Sequence, residues 1–434
     1  MDTAAVSVVP SHYYIWTIGC QMNKADSERL ESALMQLGLK PAPTPKDADV
    51  VVLNSCMVRQ SAEDRVVGMV SSLKSLKQRD PGLIVALMGC MVEPETNGLQ
   101  ARFPHVDVFM RPQEYKPLLD LLGDRLGIDA EGCLGILAPT RVAVSAYVPV
   151  IHGCDKFCSY CVVPYRRGRE RSRAIEDVVC EVELLAARGV KEVTLLGQNV
   201  DSYGHDLPGR PDLADLLTAI NQVESLSRVR FLTSHPSDMS QRIIEAVASL
   251  DRVCAHLNLP FQSGDDQVLQ AMRRGYTGDD YKRLVERIRA TVPGVSISTD
   301  LVVGFPGESE AAFQRSVKML QEVRFDKVHV AAYSPRPGTI ATRKLEDDVA
   351  PEEKRRRLDT IEKLQEEIAT SINARLLDAT TEVLVEGRKK GKWWGRNRND
   401  KLVFFKDERD LLGEKVSVRI QKTSPWSLQG EPVS

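Results

Sequence analysis

Apolar and polar positions alternate in blocks along this chain. Short apolar runs at 13–18, 50–53 and 83–88 have strand length, and the stretches 27–37 and 61–76 between them repeat with helical spacing. Strands that are apolar on both faces, alternating with helices, predict a parallel sheet with crossover helices. The alternation resumes with predicted strands at 145–151, 192–196, 228–233, 253–259, 295–303 and 327–333. Predicted helices lie at 174–188, 213–223, 240–249, 278–290 and 308–323. Six strand–helix units make an incomplete (β/α)6 barrel, a design that puts its chemistry on the loops after the strands. Pro351 followed by Glu352 and Glu353 marks the start of a charged helix running to about 377. Short strands at 381–385, 392–395, 402–405 and 415–420 then predict a small β-barrel of the oligonucleotide-binding kind. The fold class is α/β multidomain, with domains expected at 1–128, 140–372 and 373–434.

The 434 residues exceed what one ordinary core needs. Apolar content of 42% and charged content of 27% are those of a soluble globular protein. A net charge of −2 means that any nucleic-acid partner must meet local basic patches. No secretory pattern opens the chain, and no apolar run reaches the roughly 18 residues of a membrane span. A cytoplasmic setting without a membrane follows as an expectation. Nine cysteines in such a setting read as metal ligands or core residues.

Cys154, Cys158 and Cys161 stand three and two residues apart, in a run that opens at Gly153. Three thiolates so spaced can face one 4Fe–4S cube and leave one iron open. Structural zinc is the alternative, although such zinc usually closes with four ligands. A ferredoxin-type run would bring a fourth cysteine. The Cys-x3-Cys-x2-Cys spacing is also the signature of radical S-adenosylmethionine (SAM) enzymes, in which Tyr160 fills the usual aromatic position. A second trio comes from the first domain. Cys20, Cys56 and Cys90 each follow a predicted strand, two of them in Gly-Cys turns. In parallel sheets functional groups gather beyond the carboxyl ends of strands, so these three predict a second cluster. The alternative is three ordinary buried cysteines. Cys180 and Cys254 read as core residues, and Cys133 has no assigned role.

Polar residues recur where the barrel strands should end: Gln198-Asn199, Ser234-His235, Gln262-Ser263, Asp300 and Arg336. Tyr160, Gln198, Ser234, Gln262 and Asp300 are the candidate cofactor contacts. His235, before Pro236, reads as a turn residue. The run from Arg166 to Arg173 is either a solvated face or a phosphate-facing loop. In the tail, Arg388, Lys389, Lys390, Lys392, Arg396 and Arg398 interleave with Trp393 and Trp394. Cations track phosphates and aromatics stack on bases, so Trp393 and these cations are candidate RNA contacts. The alternative is a barrel edge with its tryptophans in the core.

Together these motifs resemble the methylthiotransferase branch of radical SAM enzymes. The resemblance is carried by Gly19-Cys20-Gln21-Met22-Asn23-Lys24-Ala25-Asp26-Ser27-Glu28, the 154–173 run, Leu259-Pro260-Phe261-Gln262-Ser263-Gly264, Tyr333-Ser334-Pro335-Arg336-Pro337-Gly338-Thr339 and the TRAM-like tail. Gly197-Gln198-Asn199-Val200-Asp201-Ser202-Tyr203-Gly204 is most similar to the group acting on dimethylallyladenosine in tRNA. That group commonly has Asn where this chain has Asp201, and a Gly-Arg-Thr start where the tail has Gly395-Arg396-Asn397. The resemblance implies two 4Fe–4S clusters and SAM as cofactors. It further implies a tRNA partner, a donor such as flavodoxin or ferredoxin, and a monomer. The implied reaction inserts sulfur and a methyl group at carbon 2 of N6-dimethylallyladenosine beside the anticodon. Related alternatives are threonylcarbamoyl-adenosine in tRNA or an aspartate of a ribosomal protein. From other classes come a non-catalytic iron–sulfur RNA-binding protein and a two-cluster electron carrier.

Overall fold

The computed structural model describes residues 9–57, 60–128 and 143–433. Cys133 and the boundary expected between 128 and 140 lie largely outside them. The chain divides into two compact units: Met1–Arg141 with Val162–Arg169, and Val142–Cys161 with Glu170–Ser434.

The first unit is a parallel sheet in the order Lys40–Pro41, His12–Thr17, Val50–Ser55, Ile84–Gly89, Val108–Met110. The strands Val50–Ser55 and Ile84–Gly89 are buried along their whole length. This is why they read as continuous apolar runs and not as alternating ones. One face packs under the helices Gln21–Gln36 and Lys116–Leu126, around Leu30, Leu34, Val52, Leu118 and Leu122. The other packs under Gln60–Arg79, around Val51, Val66, Val70, Leu73 and Val85.

In the second unit the predicted barrel forms as two three-stranded parallel sheets. Ser145–Pro149, Glu192–Leu196 and Arg228–Phe231 make one. His256–Asn258, Ser296–Val303 and Lys327–Ala332 make the other. A parallel bridge between Val229 and Val253 joins them into one six-stranded wall. The helix Pro351–Ala374 packs along the last strand. It is fixed by Arg357, which donates to Glu308 Oε2 (2.7 Å), and by Gln365 Nε2, which donates to the Phe325 carbonyl (3.1 Å).

After that helix, Thr380–Lys389, Lys392–Asn397, Leu402–Phe405, Leu428–Pro432 and Lys415–Thr423 close into a barrel. The last strand, Leu428–Pro432, carries Gly430 and Pro432 and shows no alternation, so periodicity alone missed it. The small barrel docks at the amino-terminal ends of the large barrel's strands. Arg228 Nη1 donates to the Arg396 carbonyl (2.6 Å), and Arg230 Nη2 to the Asn397 carbonyl (2.7 Å). In return Arg398 donates to the Val253 carbonyl (2.6 Å), and Lys401 pairs with Asp326 (2.6 Å). Cys254 is buried as expected, whereas Cys180 is exposed on the outer face of the helix Ile175–Ala187. Its position in an apolar stretch suggested a core that its helical phase does not reach.

Candidate functional site

In the first unit Cys20, Cys56 and Cys90 directly follow or flank the carboxyl ends of three neighbouring strands, and Cys20 is also the N-cap of the helix Gln21–Gln36. The Gly-Cys turns have a steric cause. Gly19 sits at φ +132°, and a Cβ there would lie 2.7 Å from Cys56 Cβ. Gly89 sits at φ +102°, where a Cβ would lie 2.5 Å from the Ser55 carbonyl oxygen. Both positions combine a positive φ with close approach, of side chains at Gly19 and of backbone at Gly89, which glycine tolerates. Asn23 and Asn54 knit the turns together: Asn23 Nδ2 donates to the Ser55 carbonyl (2.7 Å), and Asn54 Nδ2 to the Asn23 carbonyl (2.7 Å).

Arg166 and Arg167 belong to this unit, which corrects the reading of their run as a solvated or phosphate-facing loop. Arg166 pairs with Glu93 (2.5 Å). Arg167 is buried, donating to Asp26 Oδ2 (3.1 Å) and Asn23 Oδ1 (3.2 Å), and its charge acts on Cys20 and Cys90. Burial pushes the Cys90 thiol up to about 11, with Arg167 opposing it. Such a thiol stays protonated at neutral pH unless a metal displaces the proton.

In the second unit Cys154, Cys158 and Cys161 occupy the loop beyond Ile151–His152. Phe157, in this loop, holds φ +48°, strain of the kind that persists at functional sites. Burial pushes Cys154 up to about 12. A single zinc ion would draw three sulfurs to within roughly 4 Å of one another. Among the described residues, the group of three or more metal-binding side chains that closes to within 4.8 Å is Asp155, Glu170 and His205, not either cysteine trio. Asp155 and Glu170 instead exchange bonds with each other's amides, at 3.1 and 3.2 Å.

The predicted cofactor contacts fall around this loop with unequal roles. Tyr160 packs its ring edge-on against Phe305 (6.3 Å). Gln198 Oε1 and Asn199 Oδ1 are buried without a hydrogen-bond partner. Ser234 is buried and donates its hydroxyl to Asp201 Oδ1 (2.9 Å), so it is already engaged. Gln262, at φ +66°, donates its amide to the Asp300 carbonyl (2.9 Å). The Asp300 carboxylate accepts from Asn258 (3.3 Å).

Two contributors escaped the sequence, and a third was assigned a lesser role. Asp238 bridges the cysteine loop to the next strand, taking Lys156 at 2.6 Å and Asn199 Nδ2 at 2.6 Å. Arg274 donates to Cys158 Sγ (3.3 Å). His235 is more than a turn residue: burial pushes it down to about 2, and its Nδ1 accepts from the Ser237 amide (3.2 Å). The proton therefore sits on Nε2, which is buried and unpartnered. One unpartnered donor and two unpartnered acceptors beside the cysteine loop fit a ligand that carries both carboxylate and amino groups.

Of the predicted RNA contacts, Trp393 is 5% exposed, in the small barrel's core, and donates Nε1 to the Asp407 and Arg409 carbonyls (3.2 and 3.1 Å). It cannot stack on a base. Arg396 pairs with Glu386 (2.7 Å), and Arg398 holds the barrel docking. These three are corrections: strand alternation turns Trp393 into the core, Arg396 on the outer face is engaged by Glu386, and Arg398, just past the strand, is engaged by the large barrel. Arg388, Lys389 and Lys390 are exposed, and Lys392 is half-buried. Lys390 and Gly391, at φ +51° and +75°, make the two-residue turn that presents them. Trp426, 54% exposed, tips the Ser424–Ser427 turn at the opposite end of the small barrel from that hairpin. That turn is locked by Ser424 Oγ on the Ser427 carbonyl (2.8 Å) and by Asn373 Nδ2 on the Ser424 carbonyl (2.8 Å). Lys392 Nζ reaches Gln429 Oε1 (3.0 Å), on the strand that follows the Ser424–Ser427 turn.

Residues 148–320 match the Radical SAM superfamily. The six-stranded barrel and its cysteine loop therefore belong to that class of enzyme, which implies a 4Fe–4S cluster and SAM. Residues 12–111 match Uncharacterized protein family UPF0004, and residues 376–433 match the TRAM domain. The chain is 50% identical over 422 residues to a tRNA-2-methylthio-N(6)-dimethylallyladenosine synthase of Dehalococcoides mccartyi strain CBDB1, covering 97% of this chain and 98% of that one. It is 51% identical to a protein of the same name from Roseiflexus sp. strain RS-1, covering 96% and 89%. The chain belongs to this family of radical SAM methylthiotransferases. Its fold is shared with TsrM, a radical SAM methyltransferase from Kitasatospora setae, at a TM-score of 0.58, 15% identity and 76% coverage of each chain.

Asp201, the departure from the family's usual Asn, is fully buried. Burial pushes its carboxyl from 3.8 up to about 7, against the opposing bonds from Ser234 and the His235 amide. Between those two values the folded chain holds a proton that the unfolded chain has lost, so stability falls as pH rises through that window. The loss is on the order of a few kcal/mol above pH 7. Asp201→Asn is expected to melt higher than the parent at pH 8, with the gap closing toward pH 4. Scanning calorimetry across pH checks this, and a gap constant with pH would contradict it.

Proposed function

We propose that this chain is a tRNA methylthiotransferase that adds sulfur and a methyl group at carbon 2 of N6-dimethylallyladenosine beside the anticodon. The observation that carries the reading is the pair of separate three-cysteine sites in a chain that its relatives match end to end. Cys154, Cys158 and Cys161 hold one 4Fe–4S cluster. Cys20, Cys56 and Cys90 hold a second. Gln198, Asn199 and His235 take the polar groups of SAM. When bound, the first cluster and SAM supply a one-electron cleavage that yields a carbon radical able to take hydrogen from an unactivated C–H. Side-chain acid–base chemistry has no purchase there, because that hydrogen is not acidic.

The substrate base must leave its stack to reach a barrel mouth. Arg388, Lys389, Lys390 and Lys392 meet RNA phosphates, and Trp426 replaces Trp393 as the stacking residue. Among the described residues no helix is long and apolar enough to cross a membrane. A cytoplasmic, monomeric enzyme served by a flavodoxin or ferredoxin completes the reading.

Three outcomes check it. Tandem mass spectrometry of tRNA nucleosides from a deletion strain should lose the methylthio-dimethylallyl nucleoside, and plasmid-borne chain should restore it. Persistence of that nucleoside, with loss of a methylthiolated threonylcarbamoyl-adenosine, would transfer the assignment to that substrate. After anaerobic reconstitution, replacing Cys20, Cys56 and Cys90 together by Ala should halve bound iron, as should the same change at Cys154, Cys158 and Cys161. Trp426→Ala should weaken tRNA binding by roughly 5- to 150-fold, the range for one lost stack. Trp393→Phe should lower barrel stability and leave affinity nearly unchanged in filter binding.

A further inference from the structure

Arg274 is 6% exposed, in the turn after the helix Asp266–Ala271. A guanidinium stays charged, and burying it costs several kcal/mol unless an anion answers it. Three other buried arginines of this unit meet carboxylates: Arg228 with Glu382, Arg230 with Glu192 and Arg357 with Glu308. Among the described residues no carboxylate pairs with Arg274. Its Nη1 donates to Cys158 Sγ (3.3 Å), its Nη2 to the Pro260 carbonyl (3.2 Å) and its Nε to the Tyr276 hydroxyl (3.0 Å). The Tyr276 hydroxyl passes its own proton to the Phe261 carbonyl (3.0 Å), and its ring lies 5.4 Å from the guanidinium.

The turn is also sewn to the cysteine loop. Ser159 donates its amide to the Met272 carbonyl (3.0 Å) and its hydroxyl to the Ala271 carbonyl (2.7 Å). Arg273, between them and Arg274, holds φ +61°. The cation is therefore fixed against the sulfur and does not reach it by a flexible swing.

From this juxtaposition we infer that Arg274 is a positioning residue for the first cluster. It supplies the counter-charge to the thiolate ligand, aims Cys158 at its iron, and raises the cluster's reduction potential. The inference rests on Cys154, Cys158 and Cys161 holding that cluster. Reduction adds one negative charge to the cluster. A fixed cation and a hydrogen bond on a ligand sulfur stabilise the reduced form more than the oxidised one. Burial weakens screening and enlarges the effect.

The test uses the full-length chain with Cys20, Cys56 and Cys90 replaced by Ala, so that one cluster reports. Arg274→Gln removes the charge; Arg274→Lys keeps it and loses the fork. Midpoint potentials come from redox titration followed by electron paramagnetic resonance. The expected order is parent above Arg274→Lys above Arg274→Gln. For Arg274→Gln reduction should be about tenfold less favourable, which is about 59 mV for a one-electron couple. Equal potentials in parent and Arg274→Gln, at equal iron content, overturn the inference. Should Arg274→Gln fail to hold iron, Arg274→Lys decides: a potential equal to the parent's overturns it, and a lower one supports it. A parent that itself binds no iron would sink the cluster reading, and the inference with it.

Discussion

Thiols brought to the carboxyl ends of parallel strands are the arrangement on which the rest of the chemistry depends. A parallel sheet delivers every strand end to one edge, so residues far apart in sequence become neighbours without any local motif. Cys20, Cys56 and Cys90 are assembled this way. The cost is steric, because chain leaving one strand crowds the next. Gly19 and Gly89 relieve that crowding by carrying no side chain. The barrel applies the same principle, except that one loop carries all three of its cysteines.

Charge follows metal-binding potential. Buried arginines stand beside both cysteine trios. Arg167 lies against Cys20 and Cys90 with Asp26 sharing its charge. Arg274 lies against Cys158. Arg167 follows Cys161 by only six residues, yet it serves the other trio.

The tail shows how one residue type can take two roles. Arg396 and Arg398 have the charge of RNA ligands but are spent on internal pairing and on docking against the strand starts of the large barrel. The small barrel therefore sits at the end of the large one opposite the cysteine loop. What remains exposed is the hairpin carrying Arg388, Lys389 and Lys390, and the ring of Trp426.

Much of this was legible in the residues. Continuous apolar runs marked the doubly buried strands, the helical repeats marked their covers, and all six cysteines stood at strand ends or in one tight run. Local pattern is sufficient for such features because burial on two faces and the turn after a strand act over a few residues. The partners of buried charge were not legible. Nothing near Arg274 in sequence announces Cys158, 116 residues away. Nothing in a run of arginines separates those facing solvent from those buried against Glu93 and Asp26. Trp393 and Trp426 likewise differ in no local way, and only strand phase within a closed barrel buries one and leaves the other outside. Sequence sets which groups are available and how often they recur. Tertiary packing decides which of them lose water, and a charge or an aromatic face acquires its role from that loss.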